Sequence, residues 1–290
     1  MGGAGPGGGS ALGVCPFGGG DEVAKAIKHI KGGLLNFEII GTIPEGSKGR
    51  RGGRCRPTCA AQQFYNDKCS WRELALILGA NFGRGDWVVT PTYDNPHLPP
   101  GKTEADKCVQ KLIRKLRAAR KKRGQELRYV YVTEGLHGAA EDEFFGGDGQ
   151  LEDKRLHHHM VLNGCGPGDL EEIRSLWAGG GYVRIEPVDV HYYKELAKYL
   201  TKEPREYGRA RPGEHSWRAS RNLKKYEVEY IEIPSDSVTL SPPPGAVDYV
   251  QFSEKNPYGF GDCVGAWYLL FDEEAPPDYS YTRGRKRNTA

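Results

Sequence analysis

Three consecutive histidines, His157, His158 and His159, sit within the run Leu156 to Asn163, and they are three of only 8 in the chain. The run is otherwise apolar and reads as a strand. Alternate residues of a strand share a face. His157 and His159 therefore point one way, and Leu156, His158, Met160 and Leu162 the other. Two imidazoles at i and i+2 on a rigid strand can both reach one metal ion. A third ligand is needed. Glu134 closes the run that begins at Tyr129. If that run pairs antiparallel with the histidine run, Glu134 lies near His157. A carboxylate beside two imidazoles suits a divalent ion such as Mg²⁺ or Mn²⁺. His137 is the competing third ligand.

Further along, Tyr199 and Lys202 are three apart on a helical pattern and share a face. A phenol becomes a covalent nucleophile when its hydroxyl is activated. A neighbouring lysine can hold a phosphate or lower the phenol pKa. Tyr-x-x-Lys is weak taken alone, because aromatic and basic residues on a helix ordinarily serve packing. Its weight comes from following the paired histidines.

Together these pieces resemble a known family. His157-His158-His159 matches the His-hydrophobe-His motif with His158 in the central place, and Tyr199-Leu200-Thr201-Lys202 matches the Tyr-x-x-Lys motif that follows it. The chain resembles the HUH endonucleases, and among them the rolling-circle replication initiators of bacterial plasmids and small single-stranded DNA phages. Two further stretches are similar to that group. One is Phe64-Tyr65-Asn66-Asp67, leading through Asn81-Phe82 into the run from Asp86 to Tyr93; the other runs from Ser216 to Leu223. The likeness spans residues 57–235. It has departures. Pro91 stands where the family usually has Leu, and the acidic loop 139–153 is longer than the hairpin expected there. Tyr192 and Tyr193 are rival nucleophiles, and Tyr199 is preferred because it alone has a lysine at +3.

The resemblance implies a metal-dependent, tyrosine-mediated transesterification of single-stranded DNA at a replication origin. His157, His159 and Glu134 would hold the ion. Tyr199 would attack the scissile phosphate, leaving a 5′-phosphotyrosine and a free 3′-hydroxyl for a host DNA polymerase. Lys202 would position the phosphate or the phenolate. The end of a Walker A loop is suggested by Pro100-Gly101-Lys102-Thr103, but the first glycine would fall at position 96, which is proline. The motif fails, and an external host helicase is implied. The setting implied is the bacterial cytoplasm. Two rival classes stand beside this one. A zinc hydrolase could use the same histidines, although residues 161–168 offer no further Asp or His. A non-catalytic DNA-binding protein could carry the histidines as structural residues.

Charge favours a polyanionic partner. The net charge is only +3, yet residues 101–128 hold eleven basic and three acidic side chains. Lys111, Arg114, Lys115, Arg117, Lys121 and Lys122 on that stretch, with Arg51 and Arg54 in a Gly-rich basic loop at 45–58, are the candidate phosphate contacts. Trp87 or the tyrosines of 129–133 are candidates for base stacking, with core packing as the alternative. Residues 226–279 carry one lysine and eleven acids and read as a surface facing away from DNA, or as a partner site.

The elements that must position these groups follow from periodicity and breakers. Strands are predicted at 34–42, 87–93, 128–133, 156–163, 182–185, 226–233 and 264–271. Helices are predicted at 21–31, 70–80, 103–123, 169–177 and 190–203. Pro91 places its strand at an edge or a bulge. Val109, Leu112, Ile113 and Leu116 form the buried stripe of the basic helix, and Gly124 ends it. The fold class is α+β, a central antiparallel sheet with helices packed on it, and the resemblance implies the HUH or ferredoxin-like nuclease type. Residues 1–30 are expected as a disordered Gly-rich tail with a short helix, 31–235 as the nuclease domain, and 236–290 as an acidic extension and tail.

Composition excludes some classes. No window approaches eighteen uninterrupted apolar residues, so a membrane-spanning helix is not expected. The Gly-rich start lacks the basic and apolar regions of a secretory signal. The 7 cysteines are odd in number and scattered, which argues against a disulfide framework and for a reducing compartment. Cys55, Cys59 and Cys69 lack a fourth ligand at zinc-finger spacing.

Overall fold

The computed structural model describes residues 25–42, 60–135, 155–201, 217–233, 239–255 and 262–271. The basic loop with Arg51 and Arg54, Cys55 and Cys59, the acidic loop with His137, and Lys202 lie outside these residues, as do both termini.

Among the described residues, ten strands form two antiparallel five-stranded sheets, with four helices packed on them, an α+β fold. The strands are β1 (Lys25–Gly32), β2 (Leu35–Thr42), β3 (Trp87–Tyr93), β4 (Tyr129–Glu134), β5 (His157–Leu162), β6 (Gly180–Pro187), β7 (Arg218–Ala219), β8 (Glu227–Glu232), β9 (Val247–Lys255) and β10 (Asp262–Leu269). The helices are α1 (Ala60–Asn81), α2 (Lys102–Lys122), α3 (Asp169–Leu176) and α4 (Tyr193–Leu200). The first sheet has the order β8-β1-β2-β10-β9 and the second β6-β3-β5-β4-β7. No described helix is long and apolar enough to cross a membrane.

Residues 25–32 are a strand and not the predicted helix. A two-residue turn, Gly33 and Leu34, folds β1 back along the whole length of β2. Gly33 takes φ 62°, which glycine adopts at little cost. The ladder to β2 on one side and β8 on the other outweighs a short helical pattern. Strand β9 was not anticipated from the sequence; it pairs with β10, which itself pairs with β2. The predicted helix at 190–203 starts as a 3-10 turn, Val190–Tyr192, capped by the Asp189 carboxylate, and becomes α4 at Tyr193.

The second sheet has a helical layer on each face. Helices α1 and α4 pack against each other between the two sheets. Their core joins Ile30, Leu35, Phe37 and Trp267 of the first sheet to Val130, Val132 and Val161 of the second. The opposite face carries α2 and α3 over Val89, Tyr131, Met160 and Leu162. On α2 the predicted stripe, Val109, Leu112, Ile113 and Leu116, is buried. The helix stops at Gly124, where Gly124 N–H reaches Lys121 O at 3.1 Å and a φ of 70° turns Gln125 N–H back to Arg120 O at 3.0 Å.

Candidate active site

Strands β4 and β5 pair in full register, with Glu134 opposite His157 and Val132 opposite His159. Period-2 alternation then sorts their side chains. Glu134, His157 and His159 share the face of Val130, Val132 and Val161, which looks toward α1 and α4. Leu156, His158, Met160 and Leu162 look toward α2, as the alternation predicted.

On the α4 side, one ligand atom from each of Glu134, His157 and His159 lies within 4.8 Å of the others, a group that could hold a metal ion. His157 Nε2 is 3.0 Å from His159 Nε2, and Glu134 Oε2 is 3.8 Å and 3.5 Å from those two nitrogens. Glu134 and His159 are buried, and His157 is partly open to solvent. The donor set fits a divalent cation: two imidazole nitrogens and one carboxylate oxygen, each imidazole steadied through its other nitrogen. His157 Nδ1 donates to the Arg155 carbonyl at 2.7 Å, so its Nε2 carries the lone pair. His159 Nδ1 is hydrogen-bonded to the Thr90 hydroxyl at 3.0 Å. Gly135 makes the Arg155 contact feasible. Its φ is 103°, and a Cβ there would sit 2.5 Å from the Arg155 carbonyl oxygen.

Helix α4 brings a phenol to this group. Tyr193, Ala197 and Leu200 form its buried face, which leaves Tyr199 beside the sheet and 42% exposed. The Tyr199 hydroxyl is 3.0 Å from His159 Nε2, and the two rings meet edge-on at 4.7 Å. Tyr193 is turned into the core. Its hydroxyl donates to the Phe82 carbonyl, and burial pushes its pKa up. Tyr192 is exposed at the head of the helix. It stands seven residues, about 10 Å along the axis, from Tyr199.

Residues 86–204 match the family model described as replication-associated protein ORF2/G2P. This is less than half of the chain, but it contains Glu134, His157, His159, Tyr199 and Lys202. The match to replication-associated proteins is consistent with a rolling-circle replication initiator. No curated protein and no solved structure matches the chain. The matched stretch covers β3 to β6 and α2 to α4, and the first sheet lies outside it.

Among the described residues, the other predicted contacts are not gathered at this site. Lys111, Arg114, Lys115, Arg117, Lys121 and Lys122 are all exposed on α2, which covers the opposite face of the sheet. Tyr131 is buried on that face, and Arg117 lies over the ring of Tyr129. Trp87 is partly buried there, and its indole N–H donates to Asp169 at 3.2 Å. These aromatics serve the packing alternative.

Residues that sequence reasoning did not single out stand beside the triad instead. Thr90 is one. Tyr182 and Arg184 are two more, on the edge strand β6. Val183 between them is buried toward α2, and Arg184 pairs directly with Thr90. Tyr182 and Arg184 therefore share the triad's face of the sheet. Tyr182 is 71% exposed, and Arg184 pairs with Glu186 at 2.8 Å. The alternation of Tyr182, Arg184 and Glu186 with Val183 and Ile185 was the available signal.

His158 lies under the site, on the α2 face, with no measurable exposure. Burial first, then the neighbouring imidazoles of His157 and His159, pushes its pKa down to about 3. The ring is therefore neutral at ordinary pH. Its Nε2 is 2.7 Å from the Tyr93 hydroxyl and its Nδ1 is 3.0 Å from that of Thr133.

Proposed function

We propose that this protein initiates rolling-circle replication by nicking single-stranded DNA with Tyr199 at a divalent-metal centre formed by Glu134, His157 and His159. One observation carries the reading: the Tyr199 hydroxyl lies 3.0 Å from His159 Nε2, the nitrogen that faces the other two ligand atoms. Nucleophile and ligand atoms thus converge on one point of the sheet's face. The match of residues 86–204 to replication-associated proteins supports the same reading.

A Mg²⁺ or Mn²⁺ ion held there would supply Lewis-acid polarisation of the scissile phosphodiester. Tyr199 attacks phosphorus in line. A phosphotyrosine ester forms on the 5′ side, and the bond from phosphorus to the 3′ oxygen breaks. The phenol loses a proton and the departing oxygen gains one. Thr90 and the Arg155 carbonyl hold the two imidazoles in orientation. Lys202, which follows Thr201 in the sequence and lies outside the described residues, would take the role of a phosphate or phenolate partner. The free 3′-hydroxyl would serve a host polymerase, and a host helicase would open the duplex.

The strand being cut belongs on the triad's face of the second sheet. Tyr182 and Arg184 stand on that face two strand spacings, roughly 10 Å, from β5. An exposed phenol ring and a guanidinium suit a base and a phosphate. The outer face of α2, with Lys111, Arg114, Lys115, Arg117, Lys121 and Lys122, would hold a different stretch of DNA by charge, as would Arg51 and Arg54.

The test uses end-labelled single-stranded oligonucleotides tiled over the DNA that encodes the protein, with Mn²⁺ or EDTA, on a denaturing gel. The expected product is a protease-sensitive shifted band that needs Mn²⁺ and is missing with Tyr199→Phe and His157→Ala. Withdrawing the metal should slow its formation about a hundredfold or more. A band that survives Tyr199→Phe would move the nucleophile to Tyr192. No band with any metal, with salt-sensitive DNA binding intact, would leave a non-catalytic DNA-binding protein.

A further inference from the structure

Strand β5 is held unevenly. Its pairing with β4 runs from Leu162 to His157, whereas its pairing with β3 covers only Leu162 to Met160. The reason is visible in β3. Pro91 has no N–H to offer a ladder. The register of β3 against β6 also shifts between Pro91 and Tyr93. The half of β5 that carries His157 and His159 therefore has no β3 ladder beside it.

His158 fills that gap with its side chain. The direction of the two bonds at Thr133 follows from chemistry. Thr133 donates its only hydroxyl proton to Asp106 Oδ1 at 2.7 Å. The Thr133 oxygen must then accept from His158 Nδ1–H. The other ring nitrogen, Nε2, is hydrogen-bonded to the Tyr93 hydroxyl at 2.7 Å. Asp106 in turn pairs with Arg218 of β7. One chain thus ties β3, β5, β4, α2 and β7 together, and Tyr93, His158 and Thr133 within it are buried. Trp177 closes the pocket, with its ring 5.1 Å from Tyr93 and 5.8 Å from His158. An apolar residue at 158 could fill this space, but it could not grip β3 and β4 at once.

We propose that His158 is a positioning residue for the metal centre, whose bonds to Tyr93 and Thr133 replace the missing β3 ladder and hold His157 and His159 at ligand geometry. This rests on the reading of Glu134, His157 and His159 as metal ligands. It assigns a task to a position that, in the motif, asks only for an apolar side chain. It also accounts for Arg218, in the stretch after the tyrosine helix, as the outer anchor of the chain.

The experiment is a Mn²⁺ titration of the full chain, followed by the loss of the free-ion electron paramagnetic resonance signal. The proteins are wild type, His158→Leu, Tyr93→Phe and Thr133→Val. Each is first melted in EDTA, and the titration is run well below every midpoint. The expected result is a Mn²⁺ dissociation constant raised 10- to 100-fold in His158→Leu, as for loss of other outer partners of metal ligands. Smaller rises are expected in Tyr93→Phe and Thr133→Val, which keep the ring and each remove one of its two partners; Thr133→Val also removes the bond to Asp106. If His158→Leu fails to fold, the two single-bond variants decide the matter. Lower melting points with unchanged Mn²⁺ affinity would overturn the proposal and make the chain a packing device only. Absence of Mn²⁺ binding by the wild type would overturn the metal reading itself, and this proposal with it.

Discussion

Thr90 stands behind His159, with its hydroxyl 3.0 Å from Nδ1. A bond at the second nitrogen fixes the orientation of an imidazole and raises its basicity as a ligand. Thr90→Val removes that bond and keeps the shape. Mn²⁺ affinity should fall about tenfold, measured by titration. Unchanged affinity would mean that packing against Tyr199 holds the ring unaided. The same scale separates the tyrosines. Tyr193 donates to Phe82 O in the core, whereas Tyr199 reaches a candidate metal ligand. Helical spacing put Tyr199 and Lys202 on one side of the helix, but it could not say which side met the histidines. That depended on Ala197 and Leu200, which anchor α4 in the layer between the sheets.

At the level of elements, the joint between β4 and β5 depends on Gly135. Its φ of 103° lies in the left-handed region, and a side chain would press on the Arg155 carbonyl that orients His157. Gly135→Ala should cost about 2 kcal/mol of stability from backbone strain alone. Mn²⁺ affinity should fall with it. Urea unfolding checks the first and titration the second; an unmoved unfolding midpoint would remove the strain argument. A second prediction concerns the two faces of the sheet. Binding of a short single strand in EDTA should weaken about tenfold with Tyr182→Ala, the worth of a lost stacked base. Arg184→Ala should weaken it further. Lys111→Ala with Lys115→Ala should instead flatten the salt dependence for longer DNA. If only the α2 pair matters for the short strand, the cut strand lies on the far face.

The whole molecule ties the chemistry to strands far away in sequence. Trp267 of β10 is 4% exposed, and its ring is 4.3 Å from that of Phe37 and 5.9 Å from that of Trp71. It belongs to the same core as Tyr193 and Ala197 of the tyrosine helix. Trp267→Ala should destabilise the fold by about 3–5 kcal/mol. A thermal melt reads that loss. At a temperature where the variant is still folded, covalent DNA attachment should persist, because no reacting group touches Trp267. Loss of attachment in the folded variant would show that the first sheet helps to place Tyr199.

Much of the site was legible in the chain itself. Alternation along 157–162 separates His157 and His159 from His158, and the acid ending the neighbouring strand falls opposite His157 once the two pair. These are local properties, set by a strand's period of two and by one antiparallel register. Of the two readings of Pro91, the bulge holds and the edge does not: β3 lies inside its sheet, and its register shifts between Pro91 and Tyr93. Other features needed the tertiary structure. Residues 25–32 are a strand because β2 and β8 lie on either side, and β10 enters the first sheet across more than two hundred residues of chain. The basic helix turns away from the triad because its apolar stripe seeks the opposite face of the sheet. Periodicity assigns side chains to a face of their own element. Which face meets which neighbour is decided by non-local pairing and burial, and only the folded chain contains that information.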